Sequence, residues 1–167
     1  MQTRPHALSA TLIACCLGLL VLSGCGGGAH KDDHEHDDHE HGHSHEPRHG
    51  GVAVVLGDEA YHVEFTHGDV PGTLRAYFFD GHMENYIRIS APSFAGTGTV
   101  AGETRPLTFS PVSDAATGET AGDTALFEAR ADWLSGAPAV ELRVPRLDVR
   151  GTTFTDIAAS LPARAHP

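Results

Sequence analysis

Residues 30–49 carry the densest chemistry in the chain. They read His-Lys-Asp-Asp-His-Glu-His-Asp-Asp-His-Glu-His-Gly-His-Ser-His-Glu-Pro-Arg-His. Eight of these twenty are histidine (His30, His34, His36, His39, His41, His43, His45 and His49), and seven are acidic. Imidazole suits zinc, copper and nickel. Its neutral form is the ligand, and with an ordinary pKa near 6.5 most rings are neutral at pH 7. His39, His41, His43 and His45 recur every second residue. Extended backbone therefore sets them on one face, about 6.6 Å apart along the chain. A bend lets two or three close on one ion. His34, His36 and His39 offer a second cluster, and Asp37, Asp38 and Glu40 add carboxylates and a negative field that gathers cations. The tract has almost no apolar residue, so it cannot fold alone, and binding must offset the ordering of the chain. Several overlapping, exchanging sites are expected rather than one tight site. The plain alternative is a solvated tether with incidental histidines.

Further along, His62, Glu64, His67 and His82 are the remaining candidates. His62 and Glu64 project from one face of a strand. They either ligate a metal or form the wet face of an antiparallel sheet. His49-Gly50-Gly51 and His67-Gly68 place histidines beside flexible turns. Asp80-Gly81-His82 is most simply a turn, with Asp and Gly for backbone reasons.

The N-terminus decides where this chemistry sits. A short start with Arg4 precedes an apolar run from Ala7 to Leu22, the pattern of a secretory signal. About sixteen residues fall short of the roughly twenty that a spanning helix needs. Leu22-Ser23-Gly24-Cys25 resembles the bacterial lipobox. The resemblance implies cleavage after Gly24 and acyl lipid, palmitate among it, on Cys25. The alternatives are a buried apolar helix or a plain membrane anchor. Cys15, Cys16 and Cys25 are the only cysteines. The processed chain then has no disulfide, thiolate ligand or cysteine nucleophile. Several acyl chains, at roughly 0.8 kcal/mol per buried methylene, hold firmly. Gly26, where an aspartate would signal inner-membrane retention in enterobacterial lipoproteins, points to the outer membrane.

The organisation follows: a signal over 1–24, a lipidated cysteine with a disordered His/Asp/Glu-rich tether over 25–49, and one globular domain over 50–167. The net charge is −11, with +1 from Arg4, −5 in the tract and −7 after it. An acidic chain without a basic patch argues against nucleic acid and against adsorption on anionic lipid.

The globular part reads as strands. Candidates are 52–56, 61–65, 73–79, 86–89, 99–100, 106–109, 126–129, 140–144, 147–149 and 154–157, punctuated by Gly, Pro and Asp. Asp132-Trp133-Leu134 suits a single helical turn. Short strands at this spacing predict an all-β fold, a small immunoglobulin-like antiparallel sandwich. A first turn at Gly57 to Ala60 pairs Leu56 with Tyr61 and Val54 with Val63, which carries His49 beside His67 and Gly68. A second turn at Gly68 to Gly72 returns Asp80 to Asp58–Ala60. His82 then sits near Asp58, at the far end of the sheet from His49. A slip of one residue would undo this map.

His49-Gly50-Gly51-Val52, Leu56-Gly57-Asp58, Tyr61-His62-Val63-Glu64 and Tyr77-Phe78-Phe79-Asp80-Gly81-His82 together resemble a small bacterial periplasmic domain. Such domains occur in short lipoproteins and beside heavy-metal efflux adaptor proteins. The likeness covers about residues 49 to 90. It implies a small β-sandwich in a metal-linked setting, with His49, His62, Glu64 and His82 as the residues to carry over.

Three functions follow. The first is a lipid-anchored, periplasm-facing protein of the cell envelope that binds and buffers zinc, copper or nickel, accessory to efflux or uptake. The second is an interaction module docking on an envelope complex, with the tract as spacer. The third is an enzyme, for which the chain offers no Gly-x-Ser-x-Gly, His-Glu-x-x-His, phosphate loop or nucleotide fingerprint. The expectation is a non-enzyme.

Overall fold

The computed structural model describes residues 45–164. The signal segment, Cys25, the histidines from His30 to His43, and His166 lie outside the described residues. Eight strands follow one another: β1 (Val52–Leu56), β2 (Tyr61–His67), β3 (Thr73–Asp80), β4 (Phe94–Val100), β5 (Glu103–Pro111), β6 (Leu126–Arg130), β7 (Ala139–Val149) and β8 (Thr152–Pro162). A 3-10 turn at Asp132–Leu134 is the one helical piece among the described residues. No helix there is long and apolar enough to cross a membrane.

All strands pair antiparallel in the order β1-β2-β3-β6-β5-β4-β7-β8. The all-β antiparallel expectation is met. The hydrogen bonding runs as one continuous ladder rather than as two separate sheets. β5 is the corner: Glu103 to Phe109 pair with β4, while Ser110 and Pro111 pair with β6. The sheet curls on itself, so β8 returns against β1 and β2. Phe154 of β8 meets Tyr61 edge-on, with ring centroids 6.3 Å apart, and His67 Nε2 donates to the Pro162 carbonyl at 2.9 Å.

The interior holds alternate residues of these strands, including Val63, Phe65, Phe78, Phe109, Phe127, Leu142 and Leu161. Phe94 stacks on Phe109 at 4.7 Å and meets Phe127 at 5.3 Å. Burying rings of this size supplies most of the stabilisation. Two glycines interrupt β4 for a packing reason. A Cβ at Gly98 would lie 2.7 Å from the Trp133 ring, and one at Gly96 would lie 3.1 Å from the Arg143 carbonyl oxygen.

Several details differ from the sequence reading. Residues 140–144 and 147–149 are one strand, because the ladder simply omits Pro145 opposite Asp156. A proline with no N–H removes that rung without ending the strand. Residues 86–89 make only single bridges, Phe79↔Tyr86 and Ile89↔Thr124. β4 begins at Phe94, well before the expected Thr99. The first hairpins keep the expected register, with Leu56↔Tyr61, Val54↔Val63 and Tyr61↔Asp80.

Candidate functional site

The candidate site lies on the outer face of β2. Val63 and Phe65 point to the core, so His62, Glu64 and Thr66 point outward. That face is not wet: His62 and Glu64 are both 0% exposed. Two elements cover it, the segment 45–51 before β1 and the connection after β3. The reason is written in β3. Tyr77, Phe78 and Phe79 are consecutive aromatics, so both faces of that strand carry apolar surface, and Phe79 is fully buried outside the main core.

Residues 45–49, expected to belong to the tether, therefore belong to the folded body. The chain reverses at Gly50, whose φ is +69°. It crosses so close at Gly51 that a Cβ would fall on the Phe65 carbonyl oxygen and lie 2.7 Å from Thr66 Cβ. This reversal corrects the expected place of His49. His49 does not run on to meet His67. It folds back over β2, and the two histidines do not form a shared site.

Glu64 fixes the reversal. Its carboxylate accepts the backbone N–H of Arg48 at 3.0 Å, of His49 at 2.8 Å and of Gly51 at 3.0 Å. The His49 Nδ1–H adds a fourth bond at 2.8 Å. A buried carboxylate holds its charge only with such donors. The His49 ring stacks on Tyr77, with centroids 3.7 Å apart and planes at 9°. Its Nε2 meets the Tyr86 hydroxyl at 2.9 Å. Burial pushes the Tyr86 phenol above its ordinary pKa, although the nearby Arg48 opposes this. The Arg48 guanidinium lies 5.6 Å from the Tyr86 ring and donates to the Glu84 carbonyl at 2.7 Å. Every side-chain polar atom of His49 and Glu64 thus has a partner within the protein. As placed, the two form a latch.

His62 sits one rung away, between Val55 of β1 and Phe79 of β3. Its Nδ1 lies 3.3 Å from the Asp80 carbonyl oxygen. A carbonyl only accepts, so Nδ1 carries the proton and Nε2 the lone pair. That Nε2 is buried and has no hydrogen-bond partner. The leading segment brings His45 against it, with ring centroids 4.3 Å apart and planes at 36°. His45 Nε2 lies 3.7 Å from the Glu59 carboxylate, and its buried Nδ1 also has no partner. Burial pulls the His62 pKa below its ordinary value, and the adjoining His45 acts the same way. The Asp80 carbonyl and the carboxylates of Glu59 and Asp80 resist the shift.

His82 is exposed on the connection after β3. It lies next to Asp80, whose carboxylate organises that loop. Asp80 accepts from Glu84 N at 2.9 Å, Asn85 N at 3.3 Å and Asn85 Nδ2 at 2.7 Å. Burial works against its ionisation. The bonds from Asn85, Glu84 and the His82 backbone outweigh that, so its pKa stays below the usual carboxylate range. The same loop carries Glu84, whose carbonyl holds Arg48, so it does not lie at the far end of the sheet from the His49 segment. His67 is engaged elsewhere, on Pro162 of β8.

Among the described residues no group of three or more His, Cys, Asp or Glu side chains stands ready to enclose a metal ion. What the face presents is a pair of buried ring nitrogens without hydrogen-bond partners, on His45 and His62, beside a closed latch, His49 and Glu64. Sequence reasoning missed Arg48, Glu59, Tyr77 and Tyr86 as parts of this face. The signal available was the aromatic run Tyr77-Phe78-Phe79, which requires a cover on the second face. Compared with models of protein families, with curated proteins and with solved structures, the chain matches none.

Proposed function

We propose that this is a lipid-anchored protein of the bacterial cell envelope that binds and buffers divalent transition ions, zinc, copper or nickel. The observation that carries the proposal is the tract itself, eight imidazoles among twenty residues with seven carboxylates between them. The domain supports it by holding the tract's downstream end, His45 to His49, on the outer face of β2. Ions collected by exchanging sites along the tract stay at a fixed address on the fold. The lipobox at Cys25 supports anchorage, and Gly26 supports the outer membrane. The likeness of residues 49–90 to domains beside heavy-metal efflux adaptors supports an accessory role in metal efflux or uptake. On this reading the protein is not an enzyme.

The second reading is an interaction module with the tract as spacer. The latch favours it, because Glu64 and His49 serve to position the chain where it leaves the tract.

One experiment separates them: zinc, copper and nickel titration of residues 26–167 by calorimetry. The comparison is the same chain with His30, His34, His36, His39, His41 and His43 changed to Asn. The intact chain is expected to take up several ions and the altered chain to lose most of that capacity while keeping its β circular dichroism. Equal capacity in both would sink the proposal. Protons compete for imidazole, so uptake is expected to fall steeply between about pH 7 and 5. A flat response would indicate carboxylate sites for calcium-like ions.

A further inference from the structure

We propose that His45 and His62 form a discrete transition-metal site on the fold, distinct from the exchanging sites of the tract. The inference rests on the metal-binding reading above and gives it a defined location.

The argument begins with two nitrogens that the fold leaves without partners. His62 Nε2 and His45 Nδ1 are both buried and unbonded. The tautomer of His62 is set from outside. The Asp80 carbonyl takes the His62 Nδ1–H, and the Glu59 carboxylate lies on the Nε2 side of His45. The His62 ring therefore turns a lone pair, not a proton, to its unbonded Nε2, and His45 brings a second unbonded ring nitrogen, Nδ1, into the same buried contact. Metal-ligating histidines are oriented in this way, the second nitrogen donating to a carbonyl or a carboxylate while the first binds the ion. The carbonyl partner is present at His62, and the Glu59 carboxylate stands 3.7 Å from His45 Nε2.

The two unbonded nitrogens do not satisfy one another. They need a proton, a water or a cation. His62 is fully buried, so any charge placed on it needs a partner. A water satisfies the pair only passively. A divalent ion satisfies it with stronger bonds, and His45 is the final member of the alternating run His39, His41, His43, His45 that would deliver one. Zinc, copper and nickel all accept imidazole. Two protein nitrogens leave coordination positions open, so a bound ion remains available for handover. The Glu59 carboxylate also reduces the positive charge that the ion brings to the buried face.

The test uses the chain 26–167 with the six upstream tract histidines changed to Asn, titrated with Zn2+ and separately with Cu2+. One ion per chain is expected to remain. His45→Asn on that background is expected to weaken binding at least tenfold, and His62→Asn to do the same. Since His62 is buried, its variant is checked for folding by circular dichroism; His45, on the covering segment, provides the variant that leaves the sheet intact. Zn2+ is also expected to shift the imidazole 15N resonance of His62 Nε2 while that of Nδ1 stays hydrogen-bonded. Loss of all binding from the six-histidine variant, with uptake by the intact chain preserved, overturns this site and leaves the general proposal standing. No uptake by the intact chain overturns both. One-to-one binding that is indifferent to His45→Asn and leaves the His62 resonances unmoved places the ion elsewhere and also overturns the site.

Discussion

At the residue scale, Glu64 is the most consequential polar group on the outer face. It is fully buried and takes four hydrogen bonds from a four-residue stretch of chain, Arg48 to Gly51. Glu64→Gln keeps the shape but replaces one oxygen with an NH2 that faces donors. A buried donor left against donors costs about 1–3 kcal/mol, more where a charged partner is lost. The variant is expected to unfold in urea with about 3 kcal/mol less stability. A loss under 0.5 kcal/mol would show that the carboxylate is not what holds the segment. The sequence named Glu64 and His62 as a pair on one face of a strand, and that geometry is correct. Their burial was not legible. A Tyr-His-Val-Glu-Phe pattern looks the same whether the polar side meets water or a returning chain. The difference lies in residues remote in sequence, Tyr77 and Phe79 on the neighbouring strand and Arg48 and His49 ahead of the sheet. The same holds for His45, which has a partner only because Gly50 turns the chain back.

At the element scale, the strands were legible wherever period two was clean, as in β2 and β3, whose pairing follows the expected turns. They were obscured where a local signal competed with the ladder. Pro145 suggested a break that the sheet passes through, and the glycines of β4 concealed a strand that needs them for Trp133 and Arg143. The return of β8 against β1 was not legible at all, because it brings together strands from opposite ends of the domain. The leading segment is the element on which the site depends, and its two glycines predict unequal effects. Gly50 needs only a left-handed φ in open space, so Gly50→Ala is expected to cost about 1–2 kcal/mol. Gly51 has no room for a Cβ against the Phe65 and Thr66 backbone and side chain. Gly51→Ala is expected to cost more, about 2–4 kcal/mol, and to detach the segment. Amide hydrogen exchange at His49 and Gly51 checks this: fast exchange in Gly51→Ala with slow exchange in Gly50→Ala is the expected pattern. The reverse order would mean that backbone conformation, not the close approach, limits the fold here.

At the scale of the whole molecule, residues 45–51 are a structural joint of the folded body. A chain starting at Gly50 would lose three of the four donors to Glu64 and uncover His62, Phe79 and Tyr77. Removing the partners of a buried charge costs about 3–5 kcal/mol. Residues 50–167 are therefore expected to melt well below residues 26–167, read from the thermal midpoints of both. Coincident midpoints would show the leading segment to be a passive cover. The return of β8 against β1 has a further consequence. First and last strands of a sheet ordinarily display unpaired N–H and C=O groups on which neighbouring copies can polymerise. Here Phe154 lies against Tyr61 and near Gly57, and His67 reaches Pro162, so the two margins shield one another. Proteins tethered to a membrane, as proposed here, meet their own copies at high local density. A fold whose two margins lie against one another offers neighbouring copies less open edge at such density.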